Sequence, residues 1–460
     1  MNVRMMIKDV VKKQRSFFQT NASKSYQFRK KVLVQLYDAI VSKQEAIEEA
    51  LYLDLNKSKH EAYLTEIGLT LKEIRFFKKH LKKWMKAKKV KTEIYNFPAK
   101  SYQLPTAYGV VLIMSPWNYP FYLTMAPLIG ALASGNTAIV KPSNYAHHTA
   151  DLIEKIMHDL FSEDYVKVIK GGREENQALL DQKFDYIFFT GSTKVGKIVM
   201  EKAAKNLTPV TLELGGKSPT IVAQDANIDL AAKRIAFGKL INVGQTCIAP
   251  DYLLVHEDIK DEFIDKLKDH MIDFVGKEPI KNTNYGKIIN QDHFERLVNL
   301  MQNQHLIYGG DKDQSNLKIS PTILDEVSLD DDIMQEEIFG PLLPIITFKN
   351  LDETVKIINS KPHPLALYLF TKSNQAIQKI LDHCQFGGAC INDTLTQVTS
   401  DYLPFGGVGQ SGMGQYHGKA SFNTFTHHRR IVKQSHWFDI PLKYMPFTKK
   451  KMKMIKRVLK

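Results

Sequence analysis

The sequence predicts an α/β protein of two parallel-sheet units joined by a small β element. Three observations carry this expectation. Between residues 108 and 204 four strand-then-helix units succeed one another, the pattern of a parallel sheet covered by helices. A second alternation of short apolar runs and helical stretches follows "VTLELGGKSPTIV", and the glycine-rich "LPFGGVGQSGMGQYHG" then breaks it. A chain of 460 residues also exceeds one ordinary core. We assign residues 1–91 and 108–213 to the first unit, 214–397 to the second, 92–107 and 398–431 to the bridging and oligomerisation element, and 432–460 to a basic tail.

The elements follow in order. In "RKKVLVQLYDAIVSKQEAIEEALYLDL" and again in "EIGLTLKEIRFFKKHLKKWM" apolar residues recur at three- and four-residue intervals, so the first hundred residues read mainly as helices. The texture then changes. The short, partly β-branched run "YGVVLIM" (108–114) ends at the turn "SPWNYP" and leads into a helix from Phe121 to Ala133. "NTAIVKPS" precedes the helical "HTADLIEKIMHDLF", "VKVIKGG" precedes "EENQALL", and "FDYIFFTGS" precedes "TKVGKIVMEKAA". In the second unit the helix "DLAAKRIAFGKLI" leads to a cysteine loop. Strand "YLLVH", helix "DEFIDKLKDHMIDFV", strand "LLPIITF", helix "DETVKIIN" and strand "LALYLF" follow.

Composition narrows the function classes. Hydrophobic residues at 43% and charged residues at 24% are those of an ordinary globular protein. There is no run of 18 apolar residues to span a membrane, and "MNVRMMIKDVVKKQRSFF" lacks the apolar block of a signal peptide. Three cysteines without a CxxC pair make no disulfide framework, so a reduced, cytoplasmic protein is expected. The net charge of +14 has two conspicuous sources. Residues 78–91 carry eight lysines, and Leu81, Trp84 and Met85 at helical spacing make this a solvated helix face rather than a nucleic-acid site. Residues 449–460 carry seven basic residues and no acid. There Met452, Ile455 and Leu459 would share one helical face opposite a basic one, as in helices that lie on anionic membranes; a frayed basic tail reads equally well.

Cys247, in "GQTCIAPDY", is the candidate nucleophile, and such a thiol needs a base and donors for the oxyanion it creates. Glu213 ends an apolar strand before two glycines, where partial desolvation raises a carboxylate toward the range of a general base. Asn118 follows a strand end between Pro116 and Pro120, and its amide can donate to an oxyanion. Gly191, Ser192 and Gly196 sit where a buried strand gives way to a helix, a place where phosphate can approach backbone N–H groups. Lys141 closes another strand within reach of a ribose or phosphate. Gly407-x-Gly409-x-x-Gly412 formally matches a dinucleotide fingerprint, but it lies outside a strand-to-helix turn and lacks the acid about twenty positions on, so loop flexibility is the expectation.

The segments "PWNYP", "FFTGS", "LELGGKSP", "GQTCIAPDY", "EEIFGP" and "LPFGGVGQSGMG", in this order over residues 108–418, resemble the NAD(P)-dependent aldehyde dehydrogenases. The joined "APDY" and the ending "GQYHGKASFNTFTHHRR" resemble the class 3 branch, which handles fatty and aromatic aldehydes. The resemblance implies a Rossmann-type cofactor domain, an α/β catalytic domain and a small β bridging element, assembled as a homodimer. It implies that Cys247 attacks the aldehyde, that Asn118 and the Cys247 N–H hold the oxyanion, and that Glu213 activates the water that hydrolyses a thioester. Glu337 would hold the nicotinamide ribose with Phe339 beside the ring. Gly191, Ser192 and Gly196 would support the pyrophosphate, and Lys141 the adenine ribose.

Asn144 departs from the family, which commonly has a carboxylate after "KPS". An amide does not repel a 2′-phosphate, so NADP would be accepted beside NAD; alternatively Asn144 still bonds the ribose and NAD preference survives. An acyl-transferring enzyme using coenzyme A is a competing expectation, disfavoured by Glu213. A membrane-associated protein on an inactive scaffold is another, disfavoured by the intact Cys247, Asn118 and Glu213. No metal is expected: Cys384 and Cys390 near His383 lack a second ligand pair, Cys390 reads as strand packing, and His417 as a structural or substrate-mouth residue.

Overall fold

The computed structural model describes residues 2–459; Met1 and Lys460, the outer ends of the first unit and of the basic tail, lie outside the described residues. A six-stranded sheet orders its strands as Gly412–Met413, Val210–Glu213, Tyr186–Thr190, Val110–Met114, Thr137–Lys141 and Val166–Val168, parallel except for the first. Strand alternation explains why Val110–Met114 reads as an unbroken apolar run. Val110, Leu112 and Met114 join one core with Ile7, Val10 and Val11, while Val111 and Ile113 face the opposite core. The helix Val3–Gln19 covers the first face and is fastened there by Gln14, whose Nε2 donates to Ala138 O at 2.8 Å. The helix Tyr122–Ser134 is buried along its whole length on the other side and stops at Gly135, which takes φ 90°. A Cβ at Gly135 would lie 2.4 Å from the Arg29 guanidinium, so the stop is also a close-packing requirement.

A seven-stranded sheet forms the second unit, in the order His305–Tyr308, Thr322–Asp325, Leu342–Phe348, Tyr252–His256, Pro219–Val222, Ala366–Phe370 and Gly388–Ile391. Its strands are parallel except for His305–Tyr308 at one edge. Helices Ile228–Leu240, Lys260–Val275, Leu351–Asn359 and Asn374–His383 connect the strands. A third, antiparallel sheet pairs Lys100–Ala107 with Thr426–Lys433 on one side and Lys88–Val90 on the other.

Three sequence expectations change. The lysine cluster is not one helix face: Lys78 to Lys83 lie on the helix Gly68–Trp84, where Leu81 is buried, but Lys88–Val90 is a strand of the third sheet. Pairing with Lys100–Ala107 overrides the helical spacing. The elements between residues 291 and 325 were not anticipated: helix Gln291–Leu300 buries only Phe294, Leu297 and Leu300, and the edge strand His305–Tyr308 offers an apolar run of just three half-exposed residues. The glycine-rich segment is packed rather than flexible. A Cβ at Gly407 would lie 2.2 Å from Ser411 O, one at Gly406 2.3 Å from Gly414 O, and Gly414 takes φ 88°. The basic tail does form a helix, Lys449–Val458, begun by Thr448, whose side chain accepts from Lys451 N at 3.2 Å.

Candidate active site

The carboxyl ends of the six-stranded sheet face the loop that follows helix Ile228–Leu240, and a cavity of about 280 Å³ lies between them. Asn118, Gly191, Ser192, Glu213, Cys247, Glu337 and Phe339 all line it. Lys141, Asn144 and Gly196 do not: Lys141 ends the neighbouring strand Thr137–Lys141, Asn144 follows it, and Gly196 lies in the helix after Ser192, against Leu214.

Each side chain is positioned by its own local reason. Cys247 sits four residues after a backbone reversal at Asn242 and Val243, which take φ 51° and 56°. Left-handed backbone is unfavourable for a β-branched valine, so surrounding bonds must hold it. Glu61 Oε1 accepts from Asn242 N at 2.7 Å, and Asn242 Nδ2 donates to Gln245 O at 3.0 Å and to Asn118 O at 2.8 Å. Asn118 Nδ2 in turn donates to Gln245 O at 3.1 Å, its second N–H having no acceptor among the described residues, and Tyr119 OH meets Thr246 Oγ1 at 2.6 Å. Beneath these lies an ion pair with no solvent exposure on either side chain: Lys57 Nζ donates to Glu66 Oε1 at 2.6 Å and to Asn118 O at 3.0 Å. Glu66 Oε2 accepts from Phe121 N and Tyr122 N at 2.8 and 3.1 Å, capping the helix that starts there. Sequence reasoning missed Lys57, Glu61, Glu66, Asn242 and Gln245. "LNKSKH" carries no signal that its first lysine is buried.

Glu213 ends its strand opposite Gly412, and Leu214 N donates to Ser411 O at 3.1 Å, so the glycine-rich segment clamps the strand that presents this carboxylate. Both Glu213 oxygens, Asn118 Oδ1 and Thr190 Oγ1 have no hydrogen-bond partner among the described residues. Burial raises the Glu213 carboxyl well above the usual carboxylate range. Burial likewise pushes the Cys247 thiol far up, with Glu337 and Glu213 adding to it and the N–H groups of Cys247 and Ile248 opposing the shift. Glu337 is pushed up to about 8, first by burial and then by Asp251, against the opposing Gly216 N–H, Lys217 and Arg296. Its carboxylate fills the place where a Gly215 Cβ would be, 1.9 Å from Oε2, which explains why glycine follows "LEL". Asp251 Oδ2 accepts from Ile338 N at 2.8 Å, and Arg296 Nη1 donates to Glu336 Oε1 at 3.0 Å, pinning this loop. Phe339, at φ 52°, turns its ring onto Trp117 at 5.2 Å.

The residues present fit a dinucleotide. Ser192 caps the helix Thr193–Ala204 by accepting from Val195 N at 3.4 Å, so the positive end of that helix opens toward the cavity. A Cβ at Gly191 would strike the Phe189 ring at 2.7 Å, and one at Gly196 would meet Leu214 at 2.6 Å, so both glycines permit close backbone approach. Lys141 is buried, donates to Pro142 O and Gly171 O at 2.9 and 2.7 Å, and keeps one N–H free; burial lowers it to about 8. Asn144 is exposed beside it. His417 lies outside the cavity, stacked on Tyr122 at 5.8 Å and lowered to about 3 by burial. Cys390 is buried, its sulfur donating to Gln397 Oε1 at 2.7 Å.

The family model "Aldehyde dehydrogenase family" matches residues 3–431. The chain is 49% identical over 448 residues to the 4,4′-diaponeurosporen-aldehyde dehydrogenase of Staphylococcus aureus, covering 97% of each. It is 44% identical over 429 residues to a mouse (Mus musculus) aldehyde dehydrogenase described as dimeric and NADP-preferring, covering 93% of this chain and 95% of that one. A solved structure of the substrate-bound state of Staphylococcus aureus AldH superposes with a TM-score of 0.98 at 48% identity, covering 100% of both chains.

Proposed function

The chain belongs to the aldehyde dehydrogenase family, and from that premise we propose how its own residues divide the work. The protein oxidises aldehydes with NAD(P). Cys247 is the nucleophile, Asn118 and the Cys247 N–H the oxyanion donors, and Glu213 the base. The observation that carries this assignment is that all three open onto one cavity, where both Glu213 oxygens are buried without a partner. A carboxylate in that setting is a stronger base than in water once it has lost its proton. It takes the proton that burial holds on Cys247, and the thiolate adds to the aldehyde carbon. The free Asn118 N–H and the N–H of Cys247 receive the charge that appears on oxygen. The dinucleotide, when bound, supplies the hydride acceptor. Glu213 passes the first proton to solvent through the cavity mouth; it then draws a proton from water, whose oxygen attacks the Cys247 thioester, and returns that proton to the departing thiolate, releasing the carboxylic acid and the thiol.

The cofactor unit is residues 1–91 and 108–213, except that its strand Lys88–Val90 pairs into the third sheet; the catalytic unit is 214–397, and the bridging element 92–107 with 398–431, which lends Gly412–Met413 to the cofactor sheet. Glu337 and Phe339 border the nicotinamide end, Gly191, Ser192 and Gly196 the pyrophosphate, and Lys141 and Asn144 the adenosine ribose. The amide at Asn144 and the NADP-preferring mouse relative support use of NADP beside NAD. The diaponeurosporen-aldehyde relative supports a lipid-derived, long-chain substrate. The dimeric relative supports a homodimer, and the basic tail supports peripheral contact with a membrane.

The test is formation of reduced nicotinamide from decanal and benzaldehyde, with NAD and NADP in parallel and no coenzyme A. Cys247→Ala is expected to lower turnover by at least ~10⁴-fold, and Asn118→Ala by about 10²–10³-fold. Glu213→Gln is expected to trap an acyl group on Cys247, visible by intact mass. Turnover that needs coenzyme A, or a Glu213→Gln enzyme that deacylates normally, would overturn the assignment.

A further inference from the structure

Helix Gln44–Leu55 ends against the start of helix His147–Leu160, and Asp54 is the residue through which they meet. Its side chain has no solvent exposure. Oδ1 accepts from His148 N at 3.1 Å, and Oδ2 accepts from Thr149 N at 2.8 Å and from Thr149 Oγ1 at 2.7 Å. A carboxylate offers about four lone pairs, so one remains, on Oδ1. His147 Nδ1 lies 4.0 Å from that oxygen, too far for a hydrogen bond. The imidazoles of His147 and His148 are 4.0 Å apart at their centroids and inclined by 38°. One oxygen of Asp54 and one nitrogen of each ring therefore gather within 4.8 Å of one another.

Charge sharpens the picture. Buried charges in proteins are paired or coordinate a metal. The chain has 63 lysines and arginines, yet among the described residues none pairs with Asp54, whose one ion-pair partner is His147. Lys287 Nζ donates to Leu53 O at 2.8 Å instead. The N–H groups at the helix start offset part of the carboxylate charge. Together with the Thr149 hydroxyl they also fix its orientation, as outer-shell bonds fix a metal ligand. A metal ion bound by nitrogen and oxygen sits about 2.0–2.2 Å from each, and half of the gap between His147 Nδ1 and Asp54 Oδ1 is that distance. The His147 side chain is 66% exposed and free to turn, which lets the ion settle within reach of His148 as well.

We propose that Asp54, His147 and His148 form a site for a divalent first-row transition ion such as zinc or cobalt. Two imidazoles and one carboxylate suit such an ion better than magnesium or calcium, which take oxygen ligands. The ion ties the end of one helix to the start of another, directly after the turn that carries Asn144. It stands apart from the reacting atoms, so its part is structural. The expectation of no metal rested on cysteine spacing, and this set holds no cysteine. Asp54 and His148 are 94 positions apart, so no local motif announces them.

The experiment titrates the full-length enzyme, stripped of metal by a chelator, with cobalt followed by visible absorption and with zinc followed by equilibrium dialysis. One cobalt per chain is expected, with the spectrum of nitrogen and oxygen ligands and without the near-ultraviolet band of a thiolate. At a hundredfold excess over Kd the thermal midpoint should rise by roughly 2–3 °C. The double variant His147→Ala with His148→Ala should bind at least about tenfold more weakly and lose the rise, while its metal-free midpoint matches the wild type. Asp54→Asn should weaken binding as well; because it also alters a helix start, the double histidine variant carries the test if it fails to fold. Binding kept by the double variant would overturn the proposal. So would a thiolate band that disappears in Cys247→Ala, which would put the ion on the active-site cysteine. A folded Asp54→Asn protein that binds cobalt as the wild type does would reduce the site to a surface pair of histidines and overturn it too.

Discussion

The two ends of the cofactor sheet's crevice are built to different tolerances. At the cysteine end the Asn118 carbonyl is held by both Lys57 and Asn242, the Asn118 amide is tied to the cysteine loop through Gln245, and the ion pair below has no exposed atoms. At the other end Asn144 stands exposed after Lys141. The difference follows from what each end must do. Bond making at sulfur is sensitive to displacements well below an ångström, whereas discrimination at a ribose needs only the sign and reach of one polar group. Buried polar networks impose a single geometry because an unpaired member is costly.

The largest expected effect tests the tight end. Lys57→Met leaves Glu66 buried without its cation, at a cost on the order of 3–5 kcal/mol of stability. Urea unfolding measures it, and turnover of benzaldehyde should fall as Asn118 loses one anchor. The double variant Lys57→Met with Glu66→Gln should regain much of the stability but not the turnover. If both variants keep wild-type activity, Asn118 does not depend on this network and the contrast between the two ends fails.

A smaller effect lies in pH. The unfolded chain releases the Glu337 proton near 4.5, the folded protein near 8. Between those values the native state binds more protons, so stability falls as pH rises through the window. Glu73, pushed up to about 7 mainly by burial, acts in the same direction. Glu337→Gln should flatten the decline in thermal midpoint between pH 5 and 8 without abolishing it; an unaltered slope would remove Glu337 from the account. The smallest effect belongs to the loose end. Asn144→Asp should lower the NADP-to-NAD ratio of kcat/KM by about fivefold, since an exposed charge interaction is worth roughly 1 kcal/mol. The rate at saturating NAD should not move. A change in that rate would mean the two ends are coupled.

What could be read from the sequence followed the same division. Cys247, Asn118, Glu213 and Glu337 are each weak signals alone; they are singled out by the order of short segments that resembles one family, and the fold brings all four to one cavity. Lys141 and Asn144 come from the same resemblance and lie outside that cavity. Lys57 and Glu66 are not legible, because a lysine in "LNKSKH" has the same local pattern as any surface lysine. Its partners lie nine and sixty-one positions away, and only the meeting of three segments buries it. The contact of Phe97 with Phe438, rings 6.3 Å apart, is hidden in a different way: both belong to stretches without periodicity, and their adjacency is a property of the third sheet. The glycines of residues 406–414 were misread because flexibility and close packing call for the same residue.

That seam of glycines has a further consequence. Gly412–Met413 is the strand that closes one edge of the six-stranded sheet, and it covers Val210–Glu213 along that edge. If heat loosens the seam before the core melts, the first hydrogen bonds laid bare belong to a nearly buried β-strand, a template to which other chains can add. Thermal inactivation should therefore be an irreversible, concentration-dependent aggregation rather than a reversible unfolding. Its onset would be governed by the hold of a two-residue strand, not by the stability of the domains it joins.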